Sequence, residues 1–447
     1  MQSILFIVML FSLSLSALAM PVVSGNRLGR RSFKVEHAKR GDYAVHGPAA
    51  LRKAYRKFGI DATTLTGIDV SDFKPFDTKT VTSGKNTKED AVESDQTGSV
   101  TATSVQGDVE FISPVSIGGQ TLNMDFDTGS ADFWVLNSRL PESERKNRTV
   151  FEPSKSKTYK DVDGSTFKIS YGDSSFASGG VGTDTVSIGG VEVENQMIGI
   201  PTKVSETFTD DEDSNGLVGL GFSSINTIDP GPQKTFFDNV VSTLDEPVFS
   251  VRLLADGVGQ YEFGTIDHSK YKGVLANVTV DSSKGFWQFG SAQYSVDGGS
   301  FNPIKEVPEA IADTGTSLML VSPDVAKAYY KQVEGAIYAN NAGGYIYPCT
   351  AKLPSLAVAV GTAYSATVPG SLINFSEVGT NTTTGETGEF FLFHFCLTLS
   401  LTFFAVCFGG IQSNAGSSLA IYGDVFLKAL FVVFDHRGPS LGFAAPA

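Results

Sequence analysis

Asp127-Thr128-Gly129-Ser130 in the first half of the chain returns in the second half as Asp313-Thr314-Gly315-Thr316. Each turn is preceded by an apolar-rich run, Leu122 to Phe126 and Ala310 to Ala312, and followed by another, Phe133 to Leu136 and Leu318 to Val321. At average composition a lone Asp-Thr-Gly arises by chance in a chain this long on the order of one time in ten, and two with matched flanks far more rarely. The chain therefore reads as two related halves. Each half also carries a later apolar-apolar-glycine element, Leu217-Val218-Gly219 and Ile421-Tyr422-Gly423, expected to run close beside its Asp-Thr-Gly turn.

Working outward, 447 residues with 41% hydrophobic content give enough chain for two globular units with cores of their own. The 47 glycines, many Ser and Thr, abundant Phe and only 18% charged residues predict turn-rich, all-β structure. A net charge of −14 argues against nucleic acid, whose phosphates would be repelled. The five histidines, His37, His46, His268, His394 and His436, form no His-Glu-x-x-His pattern, and no Gly-x-Ser-x-Gly elbow occurs. No metal or other cofactor is therefore expected. Two aspartates brought together can instead share one proton, one activating a water and the other donating to a leaving group. Such a pair titrates in two steps and works best singly protonated, so acidic conditions are expected to suit it.

The head of the chain differs from its body. Residues 1–19 hold an apolar run ending in Ala17-Leu18-Ala19, as in a secretory signal peptide. From Met20 to Ile60 ten Lys and Arg face two acids, whereas from Gly98 onward twenty basic residues face thirty-eight acidic ones. A cationic head and an anionic body suit a prosegment, residues 20–97, lying on its own protein. Pro48, Leu51, Ala54, Tyr55 and Phe58 have helical spacing, with Gly59 placed to end the helix. Residues 78–97 lack periodicity and read as a cleavable linker.

These residues resemble the pepsin family of aspartic endopeptidases, especially the secreted acid proteases of filamentous fungi. The resemblance is carried by both Asp-Thr-Gly turns, Gly107 to Phe111, Trp134, Tyr171-Gly172-Asp173, and Tyr422 to Leu427. It implies an all-β bilobal fold, with lobes at 98–272 and 273–447, a cleft between them and a β-hairpin flap above it. Asp127 and Asp313 become the catalytic pair. Gly129 and Gly315 allow tight turns, Thr128 and Thr314 bond across the lobes, and Ser130 and Thr316 orient the outer carboxylate oxygens. Tyr171 is the flap tyrosine, with Gly172 beside it and Trp134 as its hydrogen-bond partner. Asp173 is shared with fungal relatives that accept a basic residue before the cleaved bond, while Ser174 departs from the family's glycine.

Three cysteines occur, and the resemblance implies a Cys349–Cys407 disulfide, leaving Cys396 over. Cys396 lies in an apolar stretch, Glu389 to Val406, that the family lacks. A membrane span there would strand Ile421 to Phe426 on the wrong side. Residues 388–406 read instead as a translated intron, because Gly388-Glu389 can encode a splice-donor-like sequence and Ala405-Val406 its end; a true apolar insertion is the alternative. Asn147, Asn277, Asn374 and Asn381 begin glycosylation triplets, consistent with secretion. The expected protein is a secreted monomer acting on polypeptides, with its own prosegment as intramolecular inhibitor; Lys53 and Lys57 are both open as the cation that plugs the cleft. A glycosidase also uses paired carboxylates but gives no reason for doubled turns. A dead binding protein would have lost an aspartate.

Overall fold

The computed structural model describes residues 33–39, 46–60, 99–105, 110–146, 148–170, 176–205, 208–209, 213–255, 259–380 and 405–447. Residues 1–19, the linker 78–97, the flap residues Tyr171, Gly172 and Asp173, and Asn147, Asn381 and Cys396 lie outside these.

The fold is all-β and bilobal, as expected. The strands that build the first lobe's site are β1 (Gln120–Asp127), β2 (Phe133–Val135), β3 (Lys160–Ser170), β4 (Phe176–Ile188), β5 (Gly216–Gly219) and β6 (Ile228–Asp229). In the second lobe β7 (Glu309–Ala312), β8 (Met319–Val321) and β11 (Ala420–Tyr422) surround the second turn, with β9 (Asn374–Thr380) and β10 (Ala405–Gly409) in a separate sheet. In β1 Leu122, Met124 and Phe126 alternate into the core, as a half-buried strand requires.

The duplication read from the sequence is visible in the registers. In the first lobe β1 pairs in parallel with β5, Asp127 opposite Gly219, and β2 pairs antiparallel with the same strand, Phe133 opposite Val218. In the second, β7 pairs in parallel with β11, Ala312 opposite Tyr422, and β8 pairs antiparallel with it, Met319 opposite Tyr422. Each Asp-Thr-Gly turn thus leaves the end of a buried strand whose neighbour is the apolar-glycine element of its own half.

The lobes join through a shared sheet. Val248–Arg252 pairs with Gln260–Phe263 on one side and with Phe431–Asp435, from the end of the chain, on the other. Phe249 stacks on Phe434 at 4.5 Å between ring centres, and Trp287 Nε1 donates to Leu220 O at 2.9 Å. The expected junction at 272 falls inside the strand Tyr271–Thr279, which pairs with Ser440–Pro446 in this sheet.

Two pieces of the basic head are built into the body. Phe33–Lys39 is a strand between Ser99–Val105 and Gln260–Phe263. Helix α1 (Gly47–Lys57) buries Ala50, Leu51, Ala54 and Tyr55 against Ile311, Leu318, Leu320, Phe408 and Ile421 of the second lobe. Burying Leu51 alone is worth about 2 kcal/mol. At its start Gly47 N–H donates to Ser376 Oγ at 2.9 Å, and a Cβ on Gly47 would stand 2.3 Å from the Phe408 ring. His46 caps the helix, its Nδ1 accepting from Ala49 N at 3.2 Å. The helix ends at Lys57, and Gly59 just beyond the cap Phe58 turns the chain away with a φ of 61° that suits glycine. Tyr55 OH donates to Ser413 O at 2.7 Å.

Cys349 and Cys407 are bonded, Cys407 lying on β10. Of the stretch 388–406 only Ala405 and Val406 are described; they begin β10, opposite Thr380 and Gly379 of β9. Asn277 and Asn374 are both exposed, the latter accepting from Tyr347 OH at 2.8 Å. Among the described residues no helix is long and apolar enough to cross a membrane.

Candidate active site

The two turns meet at the lobe interface. Thr128 N donates to Thr314 Oγ1 at 3.1 Å, and Thr314 N donates to Thr128 Oγ1 at 3.0 Å. Each hydroxyl then donates onward to a carbonyl of the strand that leads into the opposite turn, Thr128 Oγ1 to Ala312 O at 2.9 Å and Thr314 Oγ1 to Phe126 O at 2.6 Å. All four donors are buried and satisfied, so the two threonines lock the turns together without a stray polar group.

Asp127 and Asp313 are buried beside this lock, with 1% and 0% of their surfaces exposed. Gly129 N donates to Asp127 Oδ1 at 2.8 Å, Gly315 N to Asp313 Oδ1 at 3.1 Å, and Ser130 Oγ to Asp127 Oδ2 at 2.6 Å. Both glycines lie in turns, as expected, and meet a further need there. Neither has a positive φ. A Cβ on Gly129 would lie 2.4 Å from Asp313 Oδ1, and one on Gly315 would lie 2.4 Å from Asp127 Oδ1. Glycine is required here because each turn sits against the other turn's carboxylate. Thr316 is less symmetric with Ser130 than the repeat suggests: it lies near enough to favour the charged form of Asp313, yet its buried Oγ1 has no well-formed hydrogen bond.

Between the carboxylates stands a cation. Lys57 Nζ lies 2.6 Å from Asp127 Oδ1 and 2.7 and 2.9 Å from the two oxygens of Asp313. Of the two lysines left open by the sequence, Lys57 is the one at the carboxylates. Burial opposes its charge, but the two aspartates more than offset it and raise its pKa. Burial also opposes ionisation of Asp127, yet Lys57 and Ser130 outweigh it and hold that carboxyl below its usual range. At Asp313 burial, together with the negative charge of Asp127, outweighs Lys57 and pushes the group up.

Around the pair, Phe58 packs edge-on against Phe286 at 6.1 Å. Trp134 is buried against Phe208 at 5.1 Å, and among the described residues its Nε1 has no hydrogen-bond partner; the residue expected to meet it, Tyr171, lies outside them. Among the described residues no cluster of His, Cys, Asp or Glu could hold a metal ion. Sequence reasoning missed Asp132 and the distant pair Asn226 and Thr227, whose side chains donate to Asp132 Oδ1 behind the Asp127 turn. No spacing rule links such residues.

Comparison with known proteins agrees with this geometry. The family model for eukaryotic aspartyl proteases matches residues 110–388 and 395–446, and the interruption at 389–394 falls inside the apolar stretch. An aspergillopepsin A-like aspartic endopeptidase of Aspergillus fumigatus is 57% identical, with 100% of this chain and 99% of the relative covered. Aspartic protease PEP3 of Coccidioides posadasii is 46% identical over 93% of this chain and 90% of its own. Aspergillopepsin-1 of Aspergillus oryzae is 47% identical over 78% and 82%. A family match across most of the body, a relative similar along the whole length, and two Asp-Thr-Gly turns locked face to face place this chain among the eukaryotic aspartyl proteases, as an aspartic endopeptidase of the pepsin family.

Proposed function

We propose that the chain is a secreted zymogen whose mature form hydrolyses peptide bonds at acidic pH through a water held between Asp127 and Asp313. The observation that carries this reading is the position of Lys57 Nζ, within hydrogen-bond distance of both carboxylates. That point is where one small donor reaches both groups, and a water takes it once the lysine leaves. One carboxylate then removes a proton from the water as its oxygen attacks the peptide carbonyl, and the other, protonated, gives its proton to the carbonyl oxygen. Collapse of the resulting diol breaks the C–N bond as the amine nitrogen takes up a proton from the pair. An extended peptide would lie along the cleft, hydrogen-bonded to the flap in the manner of an added strand.

Residues 20–97 act as the inhibitor, with Lys57 as the plug. When α1 leaves, both aspartates lose a stabilising cation and bind protons more tightly, so the released form gains as the pH falls. The contribution of Asp127 to docking is present above its usual value of 3.8 and is lost as the pH falls through its lowered one. His46 works in the same direction. Burial and Arg52 lower its pKa below 6.5, favouring the neutral ring that caps α1, and protonation removes that acceptor and sets a positive charge at a helix start.

Acid-processed protein is expected to cut unfolded polypeptides at internal bonds and to leave polysaccharides intact, read by mass spectrometry of the products and by reducing-sugar release. Sugar release without peptide cleavage would reject the reading. For the substrate, Asp173, which follows the flap tyrosine in the sequence and is shared with fungal relatives that accept a basic residue before the cleaved bond, is proposed to favour such a residue, a carboxylate being the natural partner of an ammonium. Asp173→Ser should slow cleavage after Lys about tenfold or more, with cleavage after Phe nearly unchanged. Equal rates after Lys in the two proteins would remove Asp173 from the account.

A further inference from the structure

Asp132 takes no part in the threonine lock or the lysine contact, yet only 4% of its surface is exposed. Its Oδ1 accepts three hydrogen bonds, from Thr227 N at 3.0 Å, Thr227 Oγ1 at 3.0 Å and Asn226 Nδ2 at 3.2 Å. Asn226 spreads the attachment: its Nδ2 also donates to Ala131 O at 3.1 Å, and its Oδ1 accepts from Ile228 N at 3.2 Å and Gln233 N at 2.8 Å. The segment held in this way continues as β6, where Ile228 pairs with Phe167 and Asp229 with Thr166 of β3. Strand β3 ends at Ser170, at the entrance to residues 171–175. On the other side, Asp132 O accepts from Gly219 N at 2.9 Å, and Gly219 is the partner of Asp127 in the parallel pair. A continuous set of bonds therefore runs from the support of one catalytic carboxylate to the strand that leads into the flap segment.

We infer that Asp132 is a positioning residue for peptide-bond hydrolysis, holding the Asp127 turn and the stem of the flap segment in one fixed relation. It acts through Asn226 and Thr227 and touches no reacting atom. The inference rests on the assignment of Asp127 to the catalytic pair.

A carboxyl is a poor choice for a passive tether in so buried a place, since an amide would accept the same bonds with no charge to desolvate. Burial pushes Asp132 up to about 6; the two Thr227 donors act against the rise and the charge of Asp127 adds to it. Of the elements packed here, β5 carries no titratable side chain, Asn226 and Thr227 are neutral, and Asp229 on β6 is exposed. Asp127 is thus the charged group that faces it. Because its folded value lies above the ordinary 3.8, the stability tied to its proton is complete below 3.8 and is lost as the pH rises through about 6. The tether loosens on the alkaline side of that window.

The experiment is kcat and KM across pH for the acid-processed wild type, Asp132→Asn and Asp132→Ala. Asp132→Ala loses the acceptor and should lower kcat on the order of tenfold or more, the cost of a small misplacement of Asp127. Asp132→Asn keeps Oδ1 and should hold kcat within about twofold at acidic pH. Its alkaline limb should move upward, because the ionising carboxyl is gone. Wild-type kcat in Asp132→Ala, or an alkaline limb in Asp132→Asn that coincides with the wild type, would overturn the inference. If Asp132→Ala does not fold, the Asp132→Asn limb decides alone. Failure of the peptidase assignment itself would show separately, as a wild type that cleaves no peptide.

Discussion

Asp127→Asn and Asp313→Asn are each expected to lower kcat/KM at least about a thousandfold, with the fold intact. Positioned acid–base catalysis supplies roughly 10²–10⁴ in rate, and each variant removes one of the two carboxyls that the proposed mechanism uses to move protons at the scissile bond. Asparagine keeps the shape of the side chain and the oxygen that Gly129 N or Gly315 N reaches, so the threonine lock should survive. The two losses should also not add, because a water held by one carboxylate has no partner acid to finish the reaction. Rates on a fluorogenic peptide, with circular dichroism as the check on folding, give the answer. A folded Asn variant within a factor of about ten of wild type would place the catalytic groups elsewhere.

Lys57→Met is expected to abolish latency. Removing one member of a buried ion pair typically costs about 3–5 kcal/mol because its partner is left uncompensated, and here two carboxylates lose the same cation. Protonation of the pair recovers part of that, so a loss of roughly 10²–10³ in prosegment affinity is the reasonable scale. Leu51, Tyr55 and the Gly47–Ser376 bond would still hold α1 on the second lobe, which makes the effect one of occupancy rather than of folding. The variant should cut peptides, and its own linker, at a pH where the wild-type precursor is silent. Equal latency in the two proteins would mean that the helix blocks the cleft by bulk alone.

The bilobal fold was legible because it is written twice. The Asp-Thr-Gly turns, their apolar flanks and the later Leu217-Val218-Gly219 and Ile421-Tyr422-Gly423 elements are local patterns, and the structure pairs them strand against strand. Helix α1 was legible for the same reason, since its spacing and its terminal Gly59 are both local signals. What the sequence did not carry is long-range geometry. Lys53 and Lys57 differ by about one helical turn, and only the docking of Leu51 and Tyr55 on the second lobe brings Lys57 to the carboxylates. The need for glycine at 129 and 315 comes from the opposite turn's carboxylate, a neighbour that no local rule reveals. Asp132 is set apart from other acids beside strands only by the distant Asn226 and Thr227, which donate to it in the fold.

The most direct test of the central claim is the pH dependence of kcat/KM for the acid-processed enzyme on a peptide substrate. Two carboxyls sharing one proton predict a bell-shaped profile with its maximum at acidic pH, falling on the alkaline side as the second proton is lost. A maximum above neutral pH would contradict a shared-proton pair at Asp127 and Asp313.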